Sequence, residues 1–417
     1  MSSTVLSSAT AQSVTTGVEP IRRHIDELAK CNGVAELESS AAYQRLRPKI
    51  ARLLETPIVG TAEHSGLTGK PAGPGDDGRL ARVIAWNIER GIRAEGIIQA
   101  LKTRPELADA DALLLSEVDF GMARTRNRFV AADIADALGF HYAFIPCYLA
   151  LSKGNGSEKG VEGDNRESLH GNALLSRYPL IGAHGLALPN GKDKMKGNEK
   201  RIGCQRAIIA DVAHPAGTFR AVTLHLDAHS SQKHRRMQMN LVLDHLEKLS
   251  PPLPTLIGGD WNTTTHDASR ALYSILGYVR RVAMGVRRVV RWHYPYPERW
   301  FERRLFADLD RRGYDYRSLN IPGECTLHYD MDDLAANLNL RDWVPGWCFH
   351  FIRWALGRTG GRCSLKLDWF AGRGLHVDRL RPGHGPSVVH DIRESGQPVS
   401  DHDPIVVGFE IPPREDD

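Results

Sequence analysis

Seven residues, Leu256-Ile257-Gly258-Gly259-Asp260-Trp261-Asn262, constrain this chain more than any other stretch. An apolar run breaks on two glycines and delivers a carboxylate and a carboxamide two positions apart. In an extended segment the side chains at i and i+2 share a face. Asp260 and Asn262 are therefore expected to converge on one atom. A second string, Ser400-Asp401-His402-Asp403-Pro404, sets a carboxylate beside an imidazole just ahead of the apolar run Ile405–Val407. Together the strings suit a hard divalent cation, a phosphoryl group and an activated water.

The rest of the chain reads as alternating strands and helices. Arg82–Trp86, Leu113–Leu115, His141–Ile145, Asn172–Ser176, Arg206–Val212, Phe219–Leu226 and Thr255–Gly258 are strand-like runs. Glu95–Lys102, Ala131–Leu138 and Arg235–Leu249 have helical spacing. This alternation alone allows either a doubly wound parallel sheet or two face-to-face mixed sheets. Residues 1–19 are small and polar and read as disordered, residues 20–65 as a helical extension, and the Gly/Pro-rich residues 66–79 as a linker. The extension is either a packing or regulatory appendage or an oligomerisation element. A catalytic unit then runs over 80–412, carrying an insertion at about 265–362.

Two stretches of that insertion are unusual. Arg280–Arg312 holds ten arginines against four acids, interleaved with Trp292, Tyr294, Tyr296 and Trp300. Its plainest reading is a solvated amphipathic helix whose Arg stems cover aromatics. Trp343–Leu356 is aromatic and apolar. The formal net charge of +4 is too small to argue for nucleic acid. Six scattered cysteines form no C-x-x-C pair, and so suggest neither a zinc site nor a disulfide framework. No secretion signal or membrane span is evident, which makes a reduced, cytoplasmic protein the expectation. Oligomeric state is not legible.

Two more strings carry chemistry. Val83–Glu89 is a strand closing on Asn87, and Leu113–Asp119 is a strand closing on acids. Glu117, at the end of an apolar strand, is the best single metal ligand, against the plainer role of a carboxylate capping a helix. An oxygen-rich ligand set points to Mg²⁺, with Mn²⁺ able to substitute. His402 is the candidate general base, because an unperturbed imidazole titrates near ~6.5.

Taken in order, Asn87, Glu117, His225, Gly259-Asp260-Trp261-Asn262 and Ser400-Asp401-His402 resemble the endonuclease/exonuclease/phosphatase (DNase I-like) superfamily over roughly residues 80–410. The resemblance selects a four-layer α/β sandwich of two packed mixed β-sheets flanked by helices. It implies that Asn87, Glu117 and Asp401 surround the metal, while Asp260 and Asn262 position the water and a phosphate oxygen. Asp368, in Lys366-Leu367-Asp368-Trp369-Phe370, matches the position that orients the catalytic histidine; the plainer alternative is a surface ion pair with Lys366. His225 matches a histidine that DNase I-like enzymes, sphingomyelinases and 5-phosphatases carry, which implies a phosphate-binding or leaving-group role. His170-Gly171-Asn172-Ala173 resembles a family strand in which Asn172 either donates to phosphate or simply ends the strand. Arg235-Arg236-Met237-Gln238 resembles a helix start of bacterial members, for which helix solvation is the bland explanation.

The resemblance therefore implies a Mg²⁺-dependent phosphoester hydrolase using a His-activated water for in-line attack. A phosphodiesterase acting on a small or lipid-borne substrate is the first expectation, with peripheral membrane contact through 343–356, and with 280–312 resting at the same interface or walling a pocket. A DNA or RNA nuclease, with 280–312 on phosphates, is the second; a catalytically lapsed scaffold is the third. The W-x-G-D-x-N and P-x-W-C-D-R-I-L signatures of 5-phosphatases are not matched, which weakens a phosphoinositide-like substrate.

Overall fold

Strands buried on both faces must be apolar on both faces, and Val83–Trp86, Leu113–Leu115 and Leu256–Ile257 meet that condition. In the computed structural model each lies inside a strand. The structure describes residues 17–61, 80–263, 279–330, 360–377 and 385–412, with positions 277, 354, 357 and 379. The strands are β1 (Ile58–Thr61), β2 (Leu80–Arg90), β3 (Ala112–Phe120), β4 (His141–Ala150), β5 (Leu169–Ser176), β6 (Leu180–Leu188), β7 (Arg201–Gly203), β8 (Gln205–His214) and β9 (Gly217–Thr223). They continue as β10 (Thr255–Asp260), β11 (Leu327–Asp330), β12 (Arg362–Leu365), β13 (Asp368–Arg373), β14 (Gly385–Val388), β15 (Arg393–Glu394), β16 (Gln397–Pro398) and β17 (Ile405–Glu410).

One sheet has the order β1-β4-β5-β3-β2-β17-β14, with β7 on β4, and the other has β13-β10-β9-β8-β6. Both are mixed: β2–β3 and β9–β10 are parallel, and the other pairs of these two sheets are antiparallel. β11–β12 and β15–β16 are separate two-stranded antiparallel sheets.

Strand alternation divides the core. Val83, Ala85, Leu114 and Leu174 of the first sheet meet Ile208, Ala210, Leu256 and Phe370 of the second between the sheets. Ile84, Trp86, Leu113 and Leu115 turn outward, under the helices Ala94–Thr103 and Val130–Leu138. On the opposite side Ile209, Val222 and Ile257 pack under Gln232–Leu246 and the insertion helix Arg303–Arg311. The result is helix, sheet, sheet, helix: the four-layer sandwich.

The N-terminal extension belongs to this body. Leu46, Ile50 and Leu54 of the helix Ala41–Glu55 are buried in the same cluster as β2 and β3, each contributing about 1.5–3 kcal/mol. The extension is not wholly helical, because β1 adds an edge strand to the first sheet, with Ile58 opposite Phe144. Within Arg280–Arg312, the helix Arg303–Arg311 buries Leu305, Phe306 and Leu309, while Arg303, Arg304 and Arg311 stay exposed. That is the amphipathic arrangement the sequence suggests. Trp343–Leu356 lies outside the described residues apart from Trp354, as do the linker and residues 1–16. No described helix is long and apolar enough to cross a membrane, and the five described cysteines are free.

Candidate active site

The two parallel pairs, β2–β3 and β9–β10, run in directions that bring their C-terminal ends to one edge of the sandwich. The antiparallel strands β13 and β17 start at the same edge, with Asp368 opposite Asp260 and Ile405 opposite Ala85. Asn87, Glu117, Asp260, Asp368 and the Asp401-His402 pair therefore meet there.

The backbone is bent to aim them. β2 slips register between Asn87 and Arg90, and β3 slips between Leu115 and Val118. Glu89, Arg90 and Glu117 adopt positive φ at these irregularities, as does Asn262 beyond β10. Such non-glycine residues cost roughly 1–3 kcal/mol each and gather where function requires them. Asn262 also corrects the strand argument. The chain leaves extended geometry there, so Asp260 and Asn262 are joined through a turn. Asn262 N–H donates to Asp260 Oδ1 at 2.9 Å, and its Nδ2 donates to Leu226 O at 2.9 Å.

Asp260 is the hub. Its Oδ2 accepts from Asn87 Nδ2 at 3.1 Å and lies 3.5 Å from His225 Nε2 and 3.9 Å from His402 Nε2. His402 Nδ1 donates to Asp368 Oδ2 at 2.8 Å, and Thr326 Oγ1 donates to the same oxygen at 2.6 Å. Asp368 is fully buried, and Lys366 is not its ion-pair partner. The lysine ammonium donates instead to the carbonyls of Ile321 and Glu324, over the Trp369 ring. Burial alone would lower the His402 pKa, but Asp368 and Asp260 outweigh it and hold the imidazolium well above the ordinary range. Burial raises Asp260, against the attraction of His402.

Around this hub lies a less buried acidic rim. Asn87 Nδ2 also reaches Glu117 Oε1 at 3.3 Å. Burial, then repulsion from Asp401 and Glu117, pushes Glu89 up to about 8. Burial and Glu117 likewise raise Asp401. Burial opposes ionisation of Glu117, but Arg90 and His225 hold its carboxyl well below the usual range. Glu89, Glu117 and Asp401 thus form a crowded group of carboxylates, two of them raised, of the oxygen-donor kind that suits a divalent cation, while Asn87 turns its Nδ2 to Glu117 and Asp260 and accepts from Glu89 N–H on Oδ1.

The sequence of the Endonuclease/Exonuclease/phosphatase family matches residues 84–402. The chain belongs to that family. As a member it is a phosphoester hydrolase, and the family generally uses divalent metals. No curated protein matches the chain. Among solved structures it is similar to an endonuclease/exonuclease/phosphatase from Beutenbergia cavernae at 17% identity, covering 80% of this chain and 72% of that one, with a TM-score of 0.47. It is also similar to a 3'-5' exonuclease from Neisseria meningitidis at 15% identity, covering 79% and 99%, TM-score 0.43. A third is the human Nocturnin catalytic domain, at 15% identity, covering 80% and 95%, TM-score 0.42.

The structure thus brings together Asn87, Glu117, His225, Asp260, Asn262, Asp368, Asp401 and His402. Asn172 stands apart: its Nδ2 donates to Arg206 O at 2.8 Å and touches Cys147 Sγ, with no bond to the hub. Solvation does not explain Arg235 and Gln238, because both are fully buried. Arg235 pairs with Glu302 of the insertion at 2.5 Å, while Gln238 accepts from Asp227 N and donates to Pro189 O.

Several participants gave no sequence signal of their role. Ser400 Oγ donates to Asn87 O at 2.6 Å, and Trp86 Nε1 donates to His402 O at 2.8 Å. Both lie inside the motif strings, where proximity to Asn87 and His402 was the available hint. Thr326 and Tyr329 come from the insertion. Burial, then Asp401, Cys363, Asp260 and Glu117, drive the Tyr329 pKa up.

Proposed function

We propose that this protein is a Mg²⁺-dependent phosphodiesterase acting on a small or lipid-borne phosphodiester. The observation that carries the catalytic reading is the line Thr326–Asp368–His402–Asp260–His225 at the edge of the sandwich, hydrogen-bonded from Thr326 to His402, with Asp260 3.9 Å from His402 and 3.5 Å from His225. Asn87, Glu117 and Asp401 would hold the cation, with Mn²⁺ able to substitute, and Glu89 adds a fourth oxygen donor to the rim. When bound, the cation neutralises charge on a phosphoryl oxygen and on the leaving oxygen.

The chain's own residues do the rest. His402 Nε2 takes the proton from the attacking water, while Asp368 fixes the tautomer and supports the resulting imidazolium. Asp260 and Asn262 orient that water, and His225 donates toward a phosphoryl or leaving oxygen. The lipid-borne reading draws on the insertion. Trp292 and Trp300 are 59% and 49% exposed, with Arg287, Arg288, Arg291 and Arg299 also at the surface. Exposed tryptophans among arginines suit a headgroup interface. This segment joins the site wall, since Lys366 N–H donates to Tyr294 O.

The test is Mg²⁺-dependent turnover of bis-p-nitrophenyl phosphate, plasmid DNA and sphingomyelin or phosphoinositide liposomes, with Asp260→Ala as control. Metal-dependent cleavage of a diester or lipid, abolished in the variant, is expected. Preference for DNA would assign the nuclease branch, and inactivity with no bound metal would overturn the hydrolase.

A further inference from the structure

Outside the catalytic cleft, a second group of side chains converges between the insertion and the loop that follows His402. Asp403 Oδ2 lies 3.1 Å from His328 Nε2 and 2.5 Å from His390 Nδ1. His328 is on β11, His390 follows β14, and Asp403 is the residue after His402. The fold, not a local turn, assembles them. Each remaining ring nitrogen is fixed from behind: His390 Nε2 by Glu324 Oε1 at 2.8 Å, and His328 Nδ1 by Ser364 Oγ at 2.7 Å. One donor atom from each of His328, His390 and Asp403 lies within 4.8 Å of the others. The two rings meet edge to face, 5.7 Å apart and tilted by 64°, with Asp403 Oδ2 within reach of one nitrogen of each.

Histidines that ligate a metal characteristically donate their other ring N–H to a carboxylate, carbonyl or water. Glu324 and Ser364 fill that supporting position here. A bare hydrogen-bond reading is more demanding. His390 stands between two carboxylates, which only accept, so it needs a proton on both nitrogens. A cation in place of the inner proton leaves Nε2–H for Glu324 and a lone pair on Nδ1 for the metal.

We infer that His328, His390 and Asp403 form a zinc site, separate from the catalytic acids, that fastens the β11–β12 strand pair to the catalytic loop. Two imidazole nitrogens and one carboxylate favour Zn²⁺ over Mg²⁺, in contrast to the carboxylates Glu117 and Asp401. All three side chains are partly exposed, which leaves a fourth position open to water.

The site has a mechanical consequence. Asp403 N–H donates to Thr326 O at 2.7 Å, and Leu327 bridges to His402. Thr326 in turn holds Asp368. His328 and Tyr329, adjacent on a strand, point to opposite faces. A metal on His328, His390 and Asp403 would thus tie β11 to the loop that carries His402 through the Thr326 and Leu327 contacts.

The experiment is calorimetric titration of the chelator-stripped full chain with Zn²⁺, followed by Co²⁺ substitution read by visible absorption. One Zn²⁺ should bind wild type and persist in Glu117→Gln and Asp401→Asn. It should weaken at least about 100-fold in His328→Ala and His390→Ala, and about 10–100-fold in Ser364→Ala, the range for supporting-shell changes. Ser364→Ala decides the matter if a histidine variant fails to fold. The proposal is overturned if the acid variants abolish all zinc binding, if wild type binds none, or if Ser364→Ala and the histidine variants bind like wild type. It is equally overturned if only His245→Ala, at the surface His184–His245 pair, removes the metal.

Discussion

At the residue scale, His402 is defined by what surrounds it. Asp368 and Asp260 raise its pKa despite burial, and a general base must be unprotonated to act. The acid limb of the kcat/KM profile should therefore lie above the ordinary imidazole value. Removing the Asp368 charge lowers that pKa, so Asp368→Asn should shift the limb to lower pH. The same change should reduce kcat about 10²–10⁴-fold, the range for losing positioned acid–base catalysis. An unshifted limb in a pH–rate series at fixed Mg²⁺ would remove His402 from the base role. Glu117 gives an independent check. Glu117→Gln removes one charge from the acidic rim and should raise the Mg²⁺ concentration for half-maximal activity, read by metal titration of the rate.

At the scale of elements, buried charge determines how the pieces are joined. Arg124 is buried among Asp119, Glu158 and Glu199, at 2.7, 3.3 and 3.1 Å. It links the end of β3 to the loops that flank β5 and β7. Burial would raise Glu199, but Arg201 and Arg124 bring it down to about 2 from an ordinary 4.5. A depressed carboxylate binds fewer protons folded than unfolded, so its contribution is complete above about pH 4.5 and is lost as pH falls toward 2. Urea midpoints should drop across that window. Arg124→Ala should cost about 3–5 kcal/mol at pH 7, because it strands buried acids; a loss under about 1 kcal/mol would contradict this. The same scale separates what the sequence disclosed from what it concealed. β2, β3 and β10 were legible because apolar runs must be buried on both faces, and each ended on its functional residue. The Asn262 turn was not legible, since strand alternation gives no warning of a residue in the left-handed region. Nor were Thr326 and Tyr329, or the Arg235–Glu302 pair. Their partners are distant in sequence and fixed only by packing, and an arginine or glutamine near a helix start reads by default as solvated.

At the scale of the whole molecule, the extension and the insertion extend the sandwich in different ways. Residues 17–61 bury Leu46, Ile50 and Leu54 against the first sheet and cover β4 with β1. Deleting residues 1–61 should lower Tm and expose apolar surface, seen as dye binding. The insertion instead presents Trp292 and Trp300 to solvent. If these rings seat the enzyme at a lipid surface, Trp292→Ala with Trp300→Ala should act on delivery alone. The double variant should bind anionic vesicles more weakly and lose lipid turnover, while its kcat on bis-p-nitrophenyl phosphate stays that of wild type. The arginines beside them add a salt-dependent attraction, which fades beyond about 8 Å at physiological ionic strength. Vesicle binding should accordingly weaken between low and high salt, and less steeply after Arg287→Ala and Arg291→Ala. Equal losses on the soluble and the lipid substrate would show instead that the tryptophans support the site wall at Lys366 and Tyr294, and the membrane reading would be given up.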